Sequence, residues 1–268
     1  MWTYQHTDFD VHQIPALNDN YIYLIDARHA PILAAVDPAE AQPVADACRI
    51  LGRPLTDILN THHHWDHTGA NLALKQQYGC RIVGNRQDAD RIPGIDTELE
   101  PDSSWQLAAE SHDGHLDVQI IDVPGHTLGH IAYLIDDALF CGDTLFGAGC
   151  GRLFEGSPEQ MWHSLTRLTR LPAATLVYCA HEYTLANLDF AAAIDGDNPE
   201  LAARQKRDTA ARRQQQPTIP STIGVEKTTN PFLRPLDVEF CRNYARRAGI
   251  AAEPLSVFTH VRASKDQW

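Results

Sequence analysis

Seven side chains of types that hold divalent metal ions stand out in this chain, and four of them share one short run. In Leu59-Asn60-Thr61-His62-His63-His64-Trp65-Asp66-His67, successive side chains alternate along an extended or turning loop, so His62 and His64 project to one side. Asp66 and His67 follow where the chain turns into a helix, which lets them face a second ion. His63 and Trp65 take the alternate positions and are expected to space or pack. One cluster cannot complete two coordination spheres. Further donors are expected just past later strands: His126 in Pro124-Gly125-His126-Thr127-Leu128-Gly129-His130, Asp143 in Cys141-Gly142-Asp143-Thr144, and His181 in Ala180-His181-Glu182-Tyr183. Five imidazoles and two carboxylates suit zinc, iron or manganese, with a position left open for water. His130 reads as a hydrogen-bonding support for a ligand.

Each donor needs an element to deliver it. Val11 to Ile14, Tyr21 to Ile25, Pro31 to Val36 and Leu55 to Leu59 read as strands, the last running directly into the histidines. Thr68 is expected to cap a helix over Gly69 to Tyr78, closed by Gly79. Val118 to Val123, Ile131 to Ile135 and Ala138 to Cys141 resume the strands, with Asp136-Asp137 as a tight hairpin turn. Ser157-Pro158-Glu159-Gln160 has the cap, the first-position proline and the box-closing glutamine of a helix start. Met161, Leu165, Leu168 and Leu171 then give that helix a core stripe. After a strand at Leu176 to Cys179 the character changes. Leu185 to Ala193, Pro199 to Gln216 and Asp237 to Ala248 read as helices, and Pro217 to Pro231 as a loop. The expected class is α/β: an α/β sandwich over residues 1–182, followed by a small helical domain over 183–268.

Composition narrows the setting. The 268 residues carry a net charge of −13 with 43% apolar residues, which is an acidic globular chain. Residues 1–182 hold 10 Lys/Arg against 25 Asp/Glu, a balance of −15, while residues 183–268 balance at +2. An acidic metal-bearing part argues against nucleic-acid binding. No apolar run nears the ~18 residues that span a bilayer, and the first residues lack a basic patch followed by an apolar stretch. Six scattered cysteines without a CxxC pair fit a reducing cytosol. A cytoplasmic monomer with no membrane partner is the expectation.

These motifs resemble the metallo-β-lactamase superfamily, and the rest of the chain is similar to the glyoxalase II (hydroxyacylglutathione hydrolase) family from end to end. The similarity runs through Ile14 to Tyr21, Val36-Asp37-Pro38, Thr61 to His67, Pro124 to His130, Gly142 to Phe146 and Gly149 to Arg152. It ends with His181 to Thr184, Asn230-Pro231-Phe232 and Val261 to Gln267. The histidine motif marks the superfamily; the later blocks specify the family. The resemblance implies that His62, His64 and His126 hold one ion, that Asp66, His67 and His181 hold the other, and that Asp143 bridges them. It implies an αββα metallo-β-lactamase-like sandwich with a C-terminal helical domain, two divalent ions (zinc first, with iron or manganese as alternatives), and hydrolysis of S-D-lactoylglutathione to glutathione and D-lactate. Such an ion pair would bring the pKa of a shared water to about 7 and polarise the thioester carbonyl. The departing thiolate, with an intrinsic pKa of about 8.5, needs no strong general acid. No Ser or Cys nucleophile is required, and Cys141, Cys150 and Cys179 read as packing residues.

Glutathione has two carboxylates, so its site needs cations from more than one segment. Matching positions in the family imply Arg152, Tyr183, Asn187, Arg262 and Lys265. One departure stands out: many family members have tyrosine where this chain has Phe154, so one hydroxyl contact is absent. A nuclease on the same scaffold would draw on the basic helix with Arg204, Lys206, Arg207, Arg212 and Arg213, but the −15 balance repels a polyanion. A non-enzymatic metal protein predicts filled coordination spheres and no turnover. An iron enzyme oxidising persulfides predicts oxygen uptake with glutathione persulfide.

Overall fold

The computed structural model describes residues 1–108 and 114–268. They fall into two compact units, one of Met1–Asp122 with Gly129–Gly142 and one of Val123–Leu128 with Asp143–Trp268.

The first unit begins with four antiparallel strands, β1 (Trp2–Gln5), β2 (Phe9–Ala16), β3 (Asn20–Ala27) and β4 (Leu33–Val36). Then come α1 (Ala41–Leu51), β5 (Asp57–Leu59), α2 (Trp65–Thr68), α3 (Asn71–Tyr78), β6 (Arg81–Asn85) and β7 (Thr97–Leu99). β4, β5, β6 and β7 pair in parallel and complete a seven-stranded sheet in sequence order. Parallel neighbours cannot be joined by a tight turn, so α1 and then α2 with α3 carry the chain across. β4 and β5 are buried along their whole length, as strands covered on both faces must be. Ile22, Leu24, Leu33, Ile58 and Ile82 pack there with Val44 and Cys48 of α1 and Leu74 of α3. β8 (Ser104–Ala108), β9 (His115–Asp122), β10 (Ile131–Ile135) and β11 (Ala138–Gly142) form an antiparallel run. Ile135 faces Ala138 across the expected Asp136-Asp137 turn, and Asp136 takes a φ of 52°.

The second unit opens with a small hairpin, β12 (Leu145–Phe146) and β13 (Gly149–Cys150). α4 (Pro158–Leu168) follows with its capping box formed on both sides, Ser157 to Gln160 and back. The remainder comprises β14 (Leu176–Cys179), α5 (Thr184–Ile194), α6 (Pro199–Arg213), β15 (Ser221–Thr222), α7 (Ile223–Thr229), α8 (Val238–Ala248) and α9 (Pro254–Asp266). A buried ion network ties two of these elements. Arg204 of α6 contacts Glu226 of α7 at 2.7 Å and Asp208 at 3.2 Å, with all three side chains nearly inaccessible. Removing one partner of such a pair costs about 3–5 kcal/mol, because the other charge stays buried.

Three sequence expectations are corrected. Thr68 caps nothing: its hydroxyl donates to the His64 carbonyl at the end of α2, and α3 starts only at Asn71. The 217–231 segment is not a loop throughout, since Ser221-Thr222 pairs with β14 and α7 follows, capped by the Thr222 hydroxyl. α9 is a separate helix that the sequence reading did not mark out. Among the described residues, no helix is long and apolar enough to cross a membrane.

Candidate functional site

The parallel strand β5 delivers the histidine run, and a set of buried hydrogen bonds fixes its path. Asp37, just past β4, accepts from the Thr61 N–H at 2.8 Å and the Thr61 hydroxyl at 2.6 Å, and its second oxygen lies 3.0 Å from His67 Nδ1. Asn60 donates to the His67 carbonyl at 2.9 Å and accepts from Asn71 at 2.7 Å, while the Tyr133 hydroxyl donates to the Asn60 carbonyl. Asn20 donates to the Asp66 carbonyl at 3.1 Å and to its carboxylate at 3.3 Å. A carboxylate partner on Nδ1 means that His67 donates there, which turns its Nε2 lone pair toward a ligand.

His62, His64 and His67 converge. His62 Nε2 lies 3.1 Å from His64 Nδ1, and His67 Nε2 lies 3.5 Å from Asp66 Oδ2. Two donors on one tetrahedral ion, each about 2.0–2.1 Å from it, stand about 3.3 Å apart, so both spacings match shared ligation. His62, His67 and Asp37 also approach one another closely, but Asp37 is already committed to three donors and serves as a holder. His130 stacks on His62 with ring centroids 4.6 Å apart and its Nδ1 3.1 Å from the Ile131 carbonyl. His63 pairs with the buried Asp88 at 2.9 Å. Trp65 does not pack: it is 71% exposed.

The second unit presents His126, Asp143 and His181, all buried. One Asp143 oxygen lies 3.4 Å from His126 Nε2 and the other 3.3 Å from His181 Nε2. These separations exceed an ordinary N–H···O bond and again match two donors on one ion. Each oxygen addresses a different imidazole. His126 Nδ1 donates to the Arg152 carbonyl at 2.8 Å, and His181 stacks on Tyr183 at 4.7 Å. Gly151 has no room for a side chain, since a Cβ there would strike the Asp143 carbonyl oxygen and crowd the His126 Cβ. Phe154 stands edge-on to His126 at 5.2 Å and is 62% exposed. Cys141, Cys150 and Cys179 are buried thiols, and burial pushes the Cys150 thiol up.

The five residues implied for substrate also lie in the second unit. Arg152 and Arg262 share Asp266, at 3.8 and 2.9 Å. Arg262 is buried, donates to the Cys150 carbonyl at 3.2 Å and lies over the Phe232 ring. Lys265 donates to the Ala186 carbonyl, beside Asn187, and covers the Phe190 ring at 5.0 Å. Asn187 is buried and donates to the Gly147 carbonyl at 3.0 Å, and Tyr183 is exposed. The sequence assigns no role to Asp37, Asn60 or Asn20; the signals for them are the blocks Ile14 to Tyr21 and Val36-Asp37-Pro38 and the place of Asn60 beside the histidine run.

Comparison with known proteins agrees with this donor chemistry. Residues 35–181 match the family described as metallo-beta-lactamase superfamily, and residues 182–268 match the hydroxyacylglutathione hydrolase C-terminus. The hydroxyacylglutathione hydrolase of Rhodospirillum rubrum is 48% identical over 262 residues, covering 97% of this chain and 98% of that protein. That of Methylococcus capsulatus is 49% identical over 260 residues, covering 96% and 98%. The chain belongs to the hydroxyacylglutathione hydrolase family. Among solved structures, ETHE1 from Myxococcus xanthus is 25% identical with a TM-score of 0.66, covering 96% of this chain and 91% of its own. BLEG-1 B3 metallo-beta-lactamase, 21% identical with a TM-score of 0.61 over 83% of this chain and 99% of its own, shares the fold. The fold is therefore α/β of the metallo-β-lactamase type with a helical C-terminal part, and the chain carries groups of His and Asp side chains of the kind that hold divalent metal ions.

Proposed function

We propose that this protein is a metal-dependent thioester hydrolase that converts S-D-lactoylglutathione and water to glutathione and D-lactate, the last step of a methylglyoxal detoxification. The observation that carries the reading is the C-terminal family match over 182–268, joined to two half-sets of donors whose spacings suit ligation. In this reading His62, His64 and His126 hold one ion, Asp66, His67 and His181 hold the other, and Asp143 serves both. Zinc fits nitrogen-rich sets best, and iron and manganese accept the same donors. When bound, the ions supply an acidified water and a Lewis acid for the thioester oxygen.

The chain's own residues do the rest. Asp37 and the Arg152 carbonyl hold the Nδ1 protons of His67 and His126, so both rings offer Nε2. Arg152, Arg262 and Lys265 provide cationic anchors for the two glutathione carboxylates, with Tyr183 and Asn187 as polar partners. Phe154 offers an apolar edge where many relatives offer a hydroxyl. Residues 1–182 form the catalytic part and 183–268 the substrate-binding part, in a cytoplasmic monomer that needs neither nucleic acid nor membrane. The test follows thioester absorbance with S-D-lactoylglutathione before and after chelation. Turnover should vanish with the metal and return with zinc; unchanged turnover in verified metal-free protein would refute the mechanism.

A further inference from the structure

The hairpin that lies between Asp143 and Arg152 is itself held from behind. β12 and β13 pair Leu145 with Cys150 and Phe146 with Gly149, and the Gly151 N–H closes the ladder on the Thr144 carbonyl at 3.2 Å. At its tip Ala148 takes a φ of 52°, a conformation an alanine keeps only where its surroundings impose it. Buried side chains take up the polar groups of that tip in turn. Asn230 donates to the Phe146 carbonyl at 3.3 Å and the Gly149 carbonyl at 2.9 Å, and Glu226 accepts the Ala148 N–H at 2.9 Å. Asn187 and Arg262 hold the Gly147 and Cys150 carbonyls. Those two already have a substrate role in the reading above; Glu226 and Asn230 have none.

We propose that Glu226 is a positioning residue of the metal centre, which, with Asn230, sets the 145–150 hairpin and through it Asp143 and the carbonyl that orients His126. This rests on the proposed function. The chemistry favours a carboxylate at this position. One Glu226 oxygen accepts from the Ala148 N–H and from Asn230 Nδ2 at 3.0 Å; the other accepts from Arg204 at 2.7 Å and the Ser221 hydroxyl at 2.5 Å. Four donors converge on a fully inaccessible side chain. A glutamine of the same shape would turn an NH2 toward one of these pairs and leave two donors without an acceptor. The effect then passes along a few residues of backbone: Gly151 is packed so that an added Cβ would strike the Asp143 carbonyl and crowd the His126 Cβ, and the Arg152 carbonyl accepts from His126 Nδ1.

The test uses the full chain loaded with zinc and challenged with a chromogenic chelator, alongside steady-state thioester hydrolysis. Glu226→Gln should release zinc about 10–100-fold faster than the wild type, the usual effect of removing a group that orients a ligand, and lower kcat at limiting metal with KM unchanged. Asn230→Ala leaves the Arg204–Glu226 pair intact and should shift release the same way; it decides the matter if Glu226→Gln does not fold. Leu74→Ala, in the core of the first unit, should lower the melting temperature without changing release. Release at the wild-type rate from the folded variants, or equal acceleration in Leu74→Ala, overturns the inference alone. A wild-type chain that takes up no zinc overturns the proposed function and this inference together.

Discussion

Lys265 lies with its ammonium 3.3 Å from the Ala186 carbonyl and over the Phe190 ring. Partial burial first, and the neighbouring Arg262 guanidinium second, pull its pKa below the ordinary lysine value, while Asp189 works the other way. A substrate carboxylate requires the protonated ammonium, which is fully present below the lowered pKa and lost as pH rises through it. KM for S-D-lactoylglutathione should therefore climb on the alkaline side earlier than a free lysine would dictate. Lys265→Arg should flatten that climb, since a guanidinium keeps its charge; identical alkaline KM profiles would remove Lys265 from the site. The residues that could carry such chemistry differ in how plainly the sequence shows them. The seven proposed metal donors stand out because few side-chain types ligate zinc and four of them fall in six residues, His62 to His67. Asp37, Asn60, Asn20 and Glu226 do not, because they act by ordinary hydrogen bonds to groups 7 to 78 positions away.

At the scale of elements, the turn that carries His126 depends on a bare backbone. Gly125 has a φ of 155°, and a Cβ there would stand 2.9 Å from both Cα and Cβ of Met161 in α4. Ser164 of α4 donates to the Pro124 carbonyl at 2.7 Å, so helix and turn are fastened one residue from the ligand. Gly125→Ala should cost about 1–3 kcal/mol through strain and overpacking, lowering both the melting temperature and the zinc content per chain. A variant that melts like the wild type with a full metal complement would show that the contact is not needed. α4 was readable because its start, Ser157-Pro158-Glu159-Gln160, combines three local signals whose physics does not depend on the rest of the chain. α7 was not: seven residues are too few for a 3.6-residue period, and Glu226, Ser221 and Arg204 determine its place. α9 did carry a signal, with Pro254 in its first turn and Val257, Phe258 and Val261 on one buried side. The Thr68 cap failed because Thr68 is itself the last residue of α2, its hydroxyl donating to the carbonyl four residues back and not accepting from the first N–H groups of α3.

For the whole chain, the composition reading sorted acidic from near-neutral sequence correctly but could not say what held either part. The 183–268 segment balances its charge in part by burying Arg204 against Glu226 and Asp208, so a basic helix that might suggest nucleic acid spends one of its cations inside. The proposed donors come from four separate stretches of sequence, and none of them has its final geometry in an unfolded chain. Metal binding must then act as folding free energy. At free zinc about 100 times the dissociation constant, a single site adds about 2.7 kcal/mol, which for a chain of this size corresponds to about 5–10 °C in melting temperature. Melting curves of metal-free and zinc-restored protein should differ by at least that amount, with the shift growing as zinc rises. Asp143→Ala should lose most of the shift while its metal-free curve stays close to that of the metal-free wild type, because the carboxylate's work is done on the ion. A full zinc shift in Asp143→Ala would remove that carboxylate from the site, and a zinc-independent melting curve in the wild type would mean that these histidines and aspartates are held together by hydrogen bonds alone.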